Sequence, residues 1–425
     1  MDKVNELWDV AVVGAGAAGL MTAVTCRRAG LKVLLLDGRE KIGAKILISG
    51  GTRCNITNQR ITEKDFQSES PRVVKRILQT FSSASVVEFF RGIGVETVLE
   101  EDGKFFPATH SAQTVLDSLL NECRRLEVRL ETGRKVSRLA FDGHYFQVAG
   151  MNFLHTARAA VLCTGGLSYP STGSDGSGYG LGTFFGHSLI PTSPALTPLV
   201  TDDPDWKSLS GIALPVCLVL DDGGKKGVKY EGPMLFTHFG FSGPAALNMS
   251  RHWIRRQSGR AAEPVPRGRL TVNFLPHYRE DDFREQVVAA MRKTPSRLVK
   301  NLVSEKLPER LADIVIKKTG LSPARVFNQL KKTEREKLIQ GLFHAPLKVT
   351  GVVGYLKAEA TAGGIDLAEV NSSTLESKKR TGLFFAGEIL DVDGRIGGFN
   401  FQWAWSSGVA AALGVIRKIH EKQTA

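Results

Sequence analysis

Residues 8–19, WDVAVVGAGAAG, leave the start of this chain few ways to fold. A short apolar run is followed by Gly14, Gly16 and Gly19 in the G-x-G-x-x-G spacing, with Ala17 opening an alanine-rich segment that Gly30 closes. A second apolar run, LKVLLLD, then ends in Asp37, eighteen residues past Gly19. The order is strand, tight turn, helix, strand. Gly14 permits the turn, Gly16 lets a pyrophosphate approach the backbone, and Gly19 lets the helix pack on the strand. The helix start offers unpaired N–H groups and the positive end of its dipole to phosphates. Asp37 can accept hydrogen bonds from ribose hydroxyls. A dinucleotide site is expected.

Two later segments decide which dinucleotide. ARAAVLCTGG (157–166) reads as a buried strand ending in the turn Thr164-Gly165-Gly166. GLFFAGEILDVDG (382–394) reads as another, ending in Gly387-Glu388 and the acids Asp391 and Asp393. GGFNFQWAWSSG (397–408) then runs into a C-terminal helix. Ligands of open α/β sheets sit outside the carboxyl ends of the strands, so glycine turns at three such ends point to one long ligand. FAD fits that reading: ADP on the first turn, ribityl near Asp391, and the flavin ring against the last helix. Gly397 and Gly398 would let the ring approach the backbone, and the helix start near Asn400 would stabilise negative charge on it.

Composition sets outer bounds. The 425 residues are 42% hydrophobic and suffice for two or three domains. No stretch reaches the ~20 apolar residues of a membrane span, and the first strand begins too early for a signal peptide. Cys26, Cys54, Cys123, Cys163 and Cys217 are scattered without C-x-x-C or zinc spacing, so no metal is expected and a cytoplasmic location is. Net charge is +13. Residues 251–337 hold 21 Lys+Arg against 10 Asp+Glu, nearly all of that excess. Such a block is either a solvated surface or a footprint for a polyanion such as RNA.

The expected fold class is α/β: a Rossmann-like FAD-binding domain interrupted by a β-barrel-like domain and a small helical domain. Residues 1–192 form the first part of the FAD domain, with VRLETGRKVSRLAF read as a strand pair in which Val136 backs the adenine. Residues 193–278 form the β-rich domain, 279–345 the basic helical domain, and 346–425 the return to the FAD domain. Residues 173–198 read as a loop-rich boundary, and Ser242-Gly243-Pro244 as a helix start.

KILISGGTRCNITN (45–58) packs Lys45, Ser49, Gly50, Arg53, Cys54 and Asn55 into fourteen residues, which suits a loop along the pyrophosphate and ribityl chain. Lys45 and Arg53 would neutralise phosphate charge. Cys54 and His238 are the candidate proton donors, each weighed against a purely structural role. No cysteine follows Cys54 five residues later, which argues against disulfide reduction. Trp403 and Trp405 read as helix packing. No second dinucleotide fingerprint is present, so NAD(P)H as reductant would bind without one.

On the motifs VVGAGAAGL, KILISGGTRCNITN, CTGG, FTHFGFSGPA and GEILDVDGRIGGFNFQWAWSSG, the chain resembles the BaiN/RdsA family of FAD-dependent oxidoreductases, over roughly residues 8–415. The resemblance implies FAD contacts at Gly14, Gly16, Gly19, Asp37, Lys45, Arg53, Asn55, Gly165, Gly387, Asp391 and Asn400. The chain departs from it at Cys163, where alanine is usual, and at Thr52, in a loop that is often triple glycine. One branch of the family looks like a ribosomal RNA dihydrouridine synthase; another has been proposed to reduce double bonds in steroid-like bile acid intermediates. The expectation is therefore a reductase of a C=C conjugated with a carbonyl. Its substrate would be a uridine in ribosomal RNA held through 251–337, or else a small molecule. A flavin-bound RNA-binding protein without turnover is the third reading.

Overall fold

The computed structural model describes residues 6–221, 227–257 and 269–424. The chain divides into two compact units, Met1–Pro194 with Glu359–Ala425, and Ala195–Ala358.

In the first unit the apolar runs become a parallel sheet. Its strands are β1 (Leu7–Val13), β2 (Val33–Leu36), β3 (Arg129–Glu131), β6 (Phe153–Leu162) and β7 (Leu383–Phe385), in the order β3–β2–β1–β6–β7. Register is fixed by pairs such as Val10↔Ala159 and Val13↔Leu36. The early half of β6 also pairs antiparallel with β5 (Phe146–Gly150), which carries β4 (Val136–Phe141). Strand side chains alternate between faces, and here both faces are covered. Val10, Val12, Val33 and Leu35 meet α1 (Ala17–Arg28) and α2 (Phe399–Thr424) in one core, while Ala11, Val13, Leu34 and Leu36 pack into a second. Burial on both faces is why these strands read as unbroken apolar runs.

Three expectations change here. Residues 129–131 and 136–141 do not pair with each other; the first joins the parallel edge and the second the antiparallel hairpin. Val136 is buried in the second core and does not border the large cavity described below. Residues 173–198 hold a helix, Ser177–Phe184, and a strand, Leu189–Ala195. Its glycines are packing surfaces: a Cβ at Gly178 would lie 1.9 Å from Thr164 Oγ1.

α1 is tied to the helix Ala112–Arg125 by an ion cluster. Buried Glu122 accepts from Arg125 (2.7 and 2.9 Å) and Arg28 (2.6 and 3.1 Å), and those guanidinium bonds, Arg125's first, hold its carboxyl down at about 2. A carboxyl depressed by folding stabilises above its unfolded pKa of about 4.3, and that contribution fades as pH falls toward 2. Glu122→Gln should therefore cost about 1–2 kcal/mol at neutral pH, kept low because the arginines reach solvent. Denaturant titrations at several pH values should show the deficit disappearing in acid.

In the second unit seven antiparallel strands run in the order 345–346, 270–273, 213–220, 228–237, 240–242, 199–200, 351–352. The two edge strands lie only four residues apart in the chain, which curls the sheet toward a barrel. Gly243 and Pro244 do begin a helix, Gly243–Gln257. The helices Glu280–Lys293, Glu309–Lys318 and Lys332–Phe343 share one continuous core with the strands, where Phe283, Leu311 and Leu338 meet Val216 and Phe236. The helical segment is thus not a separate globule. Among the described residues no helix is long and apolar enough to cross a membrane.

Candidate active site

The carboxyl ends of β1, β6 and β7 open onto a cavity of about 450 Å³, built wholly from the first unit. Gly14, Gly16 and Ala17 from the first turn line it, with Asp37 from the end of β2 and Thr164 and Gly165 after β6. Gly387 and Glu388 follow from β7, and Gly397, Gly398 and Asn400 from the start of α2. Lys45, Ser49, Gly50, Arg53 and Asn55 of the polar loop join them.

Local chemistry explains the turns. The Gly14 N–H donates to Leu36 O (2.7 Å), and Asp37 accepts from Ala15 N–H (2.7 Å) and Arg39 N–H (2.8 Å), so the acid fastens the turn it follows. A Cβ on Gly19 would lie 1.8 Å from Gly14 O, so Gly19 serves helix packing and stays off the cavity surface. At Gly16 a Cβ would meet no atom of the described residues within 4 Å. Gly398 sits at φ +92°, where a Cβ would lie 2.6 Å from Thr57 C. Its N–H donates to the Asn55 amide oxygen (3.0 Å), whose nitrogen donates to Thr57 O (2.9 Å). The polar loop is thereby latched to the start of α2.

Both expected phosphate cations are already paired. Lys45 Nζ donates to Glu388 Oε2 (2.5 Å) and Ser168 Oγ (2.5 Å). Glu388 Oε1 also accepts from Ser168 Oγ (2.5 Å) and Thr361 N–H (2.9 Å). Arg53 donates to Glu100 (2.6 Å) and lies over the Phe106 ring, 4.0 Å from its centre. Neither is left as a lone positive charge. An anion entering this cavity would meet backbone N–H groups and the helix starts of α1 and α2.

Several candidates are placed elsewhere. Cys54 is wholly buried in the core with Ile46, Ile56 and Phe90, off the cavity wall, and burial pushes its thiol up to about 12. It is not positioned to give up a proton to a bound molecule. Asp391 is buried, accepts from Gly363 N–H (3.0 Å) and does not border the cavity; Val392 does. Asn400 lines the wall, but its amide is occupied by Gly394 (2.8 and 3.2 Å). His238 is exposed in a turn of the second unit, its ring against Phe239. Trp403 and Trp405 are buried, donating to Gly387 O and Ile56 O (3.0 Å each). Cys163 is buried on the wall, its thiol pushed up to about 12 by burial.

Sequence reasoning missed Lys104, Tyr169 and Glu359, which also line the cavity. Tyr169 has a left-handed backbone, φ +49°, four residues past Gly165. Glu359 is exposed to the cavity, and desolvation by the surrounding walls raises its carboxyl, against the opposing pull of Lys45 and Lys104. The one available signal was a lone acid before the small apolar run ATAGGI (360–365).

FAD can be tested against this wall. Gly16 leaves open space where a pyrophosphate would pass, and ten lining glycines present backbone rather than side chains. Thr164 Oγ1, on the wall, is buried without a hydrogen-bond partner among the described residues and so is available to a ligand. Two helix starts face the cavity, and no fixed cation is required. These residues fit the group.

The family described as the HI0933-like protein Rossmann domain matches residues 8–414. The chain belongs to that family. It is 33% identical to the ribosomal RNA dihydrouridine synthase of Escherichia coli (strain K12), covering 97% of this chain and 98% of that protein. It is 30% identical to the 3-dehydro-bile acid delta(4,6)-reductase of Clostridium scindens, covering 95% and 97%. Among solved structures, the 3-ketosteroid delta1-dehydrogenase of Sterolibacterium denitrificans superposes with a TM-score of 0.51 over 98% of this chain and 100% of that one. At 12% identity that likeness concerns the fold alone. The expected enzyme class, a Rossmann-type FAD-dependent oxidoreductase, is shown by the family and its relatives. The family does not decide the substrate.

Proposed function

We propose that this protein reduces a C=C bond conjugated with a carbonyl, and that its substrate is a uridine of ribosomal RNA, reduced to dihydrouridine. The observation that carries the first part is the convergence of glycine turns from three strand ends on one cavity. FAD held there would supply, once reduced, a hydride to the β-carbon of the conjugated system. The chain's residues would do the rest. Backbone N–H groups of the first turn hold the pyrophosphate, Asp37 the ribose, and the latched start of α2 faces charge that builds up on the ring. NAD(P)H is the reductant proposed for the cycle.

The choice of RNA rests on the second unit. Many cations of 251–337 are neutralised locally, as in Arg284 with Glu280 and Glu336, or Lys300 with Glu309 and Asp313. Arg279, Arg292, Lys293, Lys332 and Lys337 differ: all are exposed, on or beside the helices Glu280–Lys293 and Lys332–Phe343, with no ion pair among the described residues. Residues 258–268 of the basic stretch lie outside the described residues. Five phosphate contacts would make log K fall with log salt at a slope of roughly −4. The double substitution Arg292→Ala and Lys293→Ala should flatten that slope by about 2. A small apolar enone would show no such dependence.

The decisive test is to reduce the bound flavin anaerobically and add precursor ribosomal RNA. Reoxidation with dihydrouridine in the product supports the proposal. Reoxidation by a steroid enone alone moves the substrate to the small-molecule reading, and reoxidation by neither would leave a flavin-bound scaffold.

A further inference from the structure

The reduction proposed above needs a proton as well as a hydride, and neither candidate named from the sequence is placed to supply it from the cavity wall. Cys54 is sealed in the core, and His238 belongs to the second unit. The cavity offers three titratable side chains that sequence reasoning passed over: Tyr169, Glu359 and Lys104. Their placement is specific. Glu359 immediately precedes the buried strand Ala360–Ile365, whose first residues anchor the polar network: Thr361 N–H donates to Glu388 and Thr361 Oγ1 accepts from Leu167 and Ser168 N–H. That framework fixes the backbone that presents Glu359. Tyr169 directly follows Ser168 of the same network and keeps a left-handed φ of +49°, an arrangement that costs a non-glycine residue of order 1 kcal/mol and collects at working sites.

We propose that Glu359 is the proton donor of this cavity, protonating the carbon next to the carbonyl of the reduced substrate. The inference rests on the reductase reading. When a hydride has been added at the β-carbon, the former π electrons lie over the α-carbon and the carbonyl oxygen as an enolate. The O–H bond of Glu359 breaks, a C–H bond forms at the α-carbon, and the carbonyl is restored. The carboxylate left behind recovers its proton from water. The two electrons come from the reduced flavin, which NAD(P)H restores.

The charges around Glu359 suit that task. Lys45 and Lys104 favour its ionised form and Tyr169 lines the same cavity, while Lys45 is drawn off by its bond to Glu388. Lys104 is likewise paired, with Asp102. Both lysines are committed to other carboxylates, and although the Glu359 side chain is exposed to the cavity, desolvation by the surrounding walls raises its carboxyl above that of a free glutamate. Glu359 is also open to the cavity, as a donor must be.

The test uses the FAD-loaded full chain with 13C-labelled glutamate. The resonance lost in Glu359→Gln identifies Glu359, and its titration should lie above the ordinary glutamate value of about 4.3. In the same variant, flavin reduction should keep its wild-type rate while reoxidation by precursor ribosomal RNA slows at least ~100-fold. Glu359→Asp should recover part of the rate, and Tyr169→Phe most of it. Two results would overturn the assignment: a Glu359 resonance titrating at or below the ordinary value, or a Tyr169→Phe protein that stalls while Glu359→Gln does not. Should no substrate reoxidise even the wild-type protein, the reductase reading itself fails, and the resonance still decides whether Glu359 holds a proton.

Discussion

Gly16→Ala should fold as the parent protein does and yet emerge from purification nearly colourless. Gly16 lies at φ −81°, ψ −168°, a backbone that alanine adopts freely, and its added methyl would touch no atom of the described residues within 4 Å. The cofactor-free stability should therefore be unchanged. That methyl would instead occupy the space a pyrophosphate must cross to reach the start of α1, and an affinity loss of at least ~100-fold, close to 3 kcal/mol, is expected. Gly19→Ala makes the contrast. Its methyl would overlap Gly14 O at 1.8 Å, so the helix must leave the strand and the fold itself is weakened. Thermal melts without FAD and flavin fluorescence titrations with it separate the two. Equal FAD affinity in Gly16→Ala would remove the pyrophosphate from this turn.

The second large effect concerns the Lys45–Glu388 pair. Lys45→Met would leave the Glu388 carboxylate facing Ser168 and Thr361 N–H with its cation gone, in a site where the glutamate side chain is 18% exposed. Removing one partner of a shielded pair costs about 3 kcal/mol. The double variant Lys45→Met with Glu388→Leu should recover much of that, since no lone charge remains. FAD affinity should stay low in both, because Gly387-Glu388 and Lys45 shape the same wall. A single variant as stable as the parent would mean that solvent screens the pair more than its geometry suggests.

The parallel sheet and its first turn were readable because parallel strands buried on both faces keep unbroken apolar runs, and a glycine fingerprint has few other uses. The polar loop was legible for its density of glycine and amide groups; Gly398 was expected to admit the flavin ring, and in the structure its missing side chain makes room for Thr57 and Asn55. What failed was long-range. The sequence cannot say that Lys45 meets Glu388 across 343 positions, so both expected phosphate cations proved to be paired. Residues 129–141 read as a strand pair because an apolar strand pattern carries no information about which neighbour a strand will take. The helix Ser177–Phe184 was hidden by glycines that usually mark loops and here allow tight packing on Thr164 and Ile365. Cys54 attracted attention as a reactive residue type, and only burial shows it to be core. Tyr169 and Glu359 belong to no motif and gain meaning from the cavity they share.

One titration bears most directly on the account. FAD added to the stripped protein should bind at one per chain, quenching or shifting flavin fluorescence, and Gly16→Ala should bind at least ~100-fold more weakly. A folded protein that takes up no FAD, or one whose uptake ignores that methyl, would contradict it.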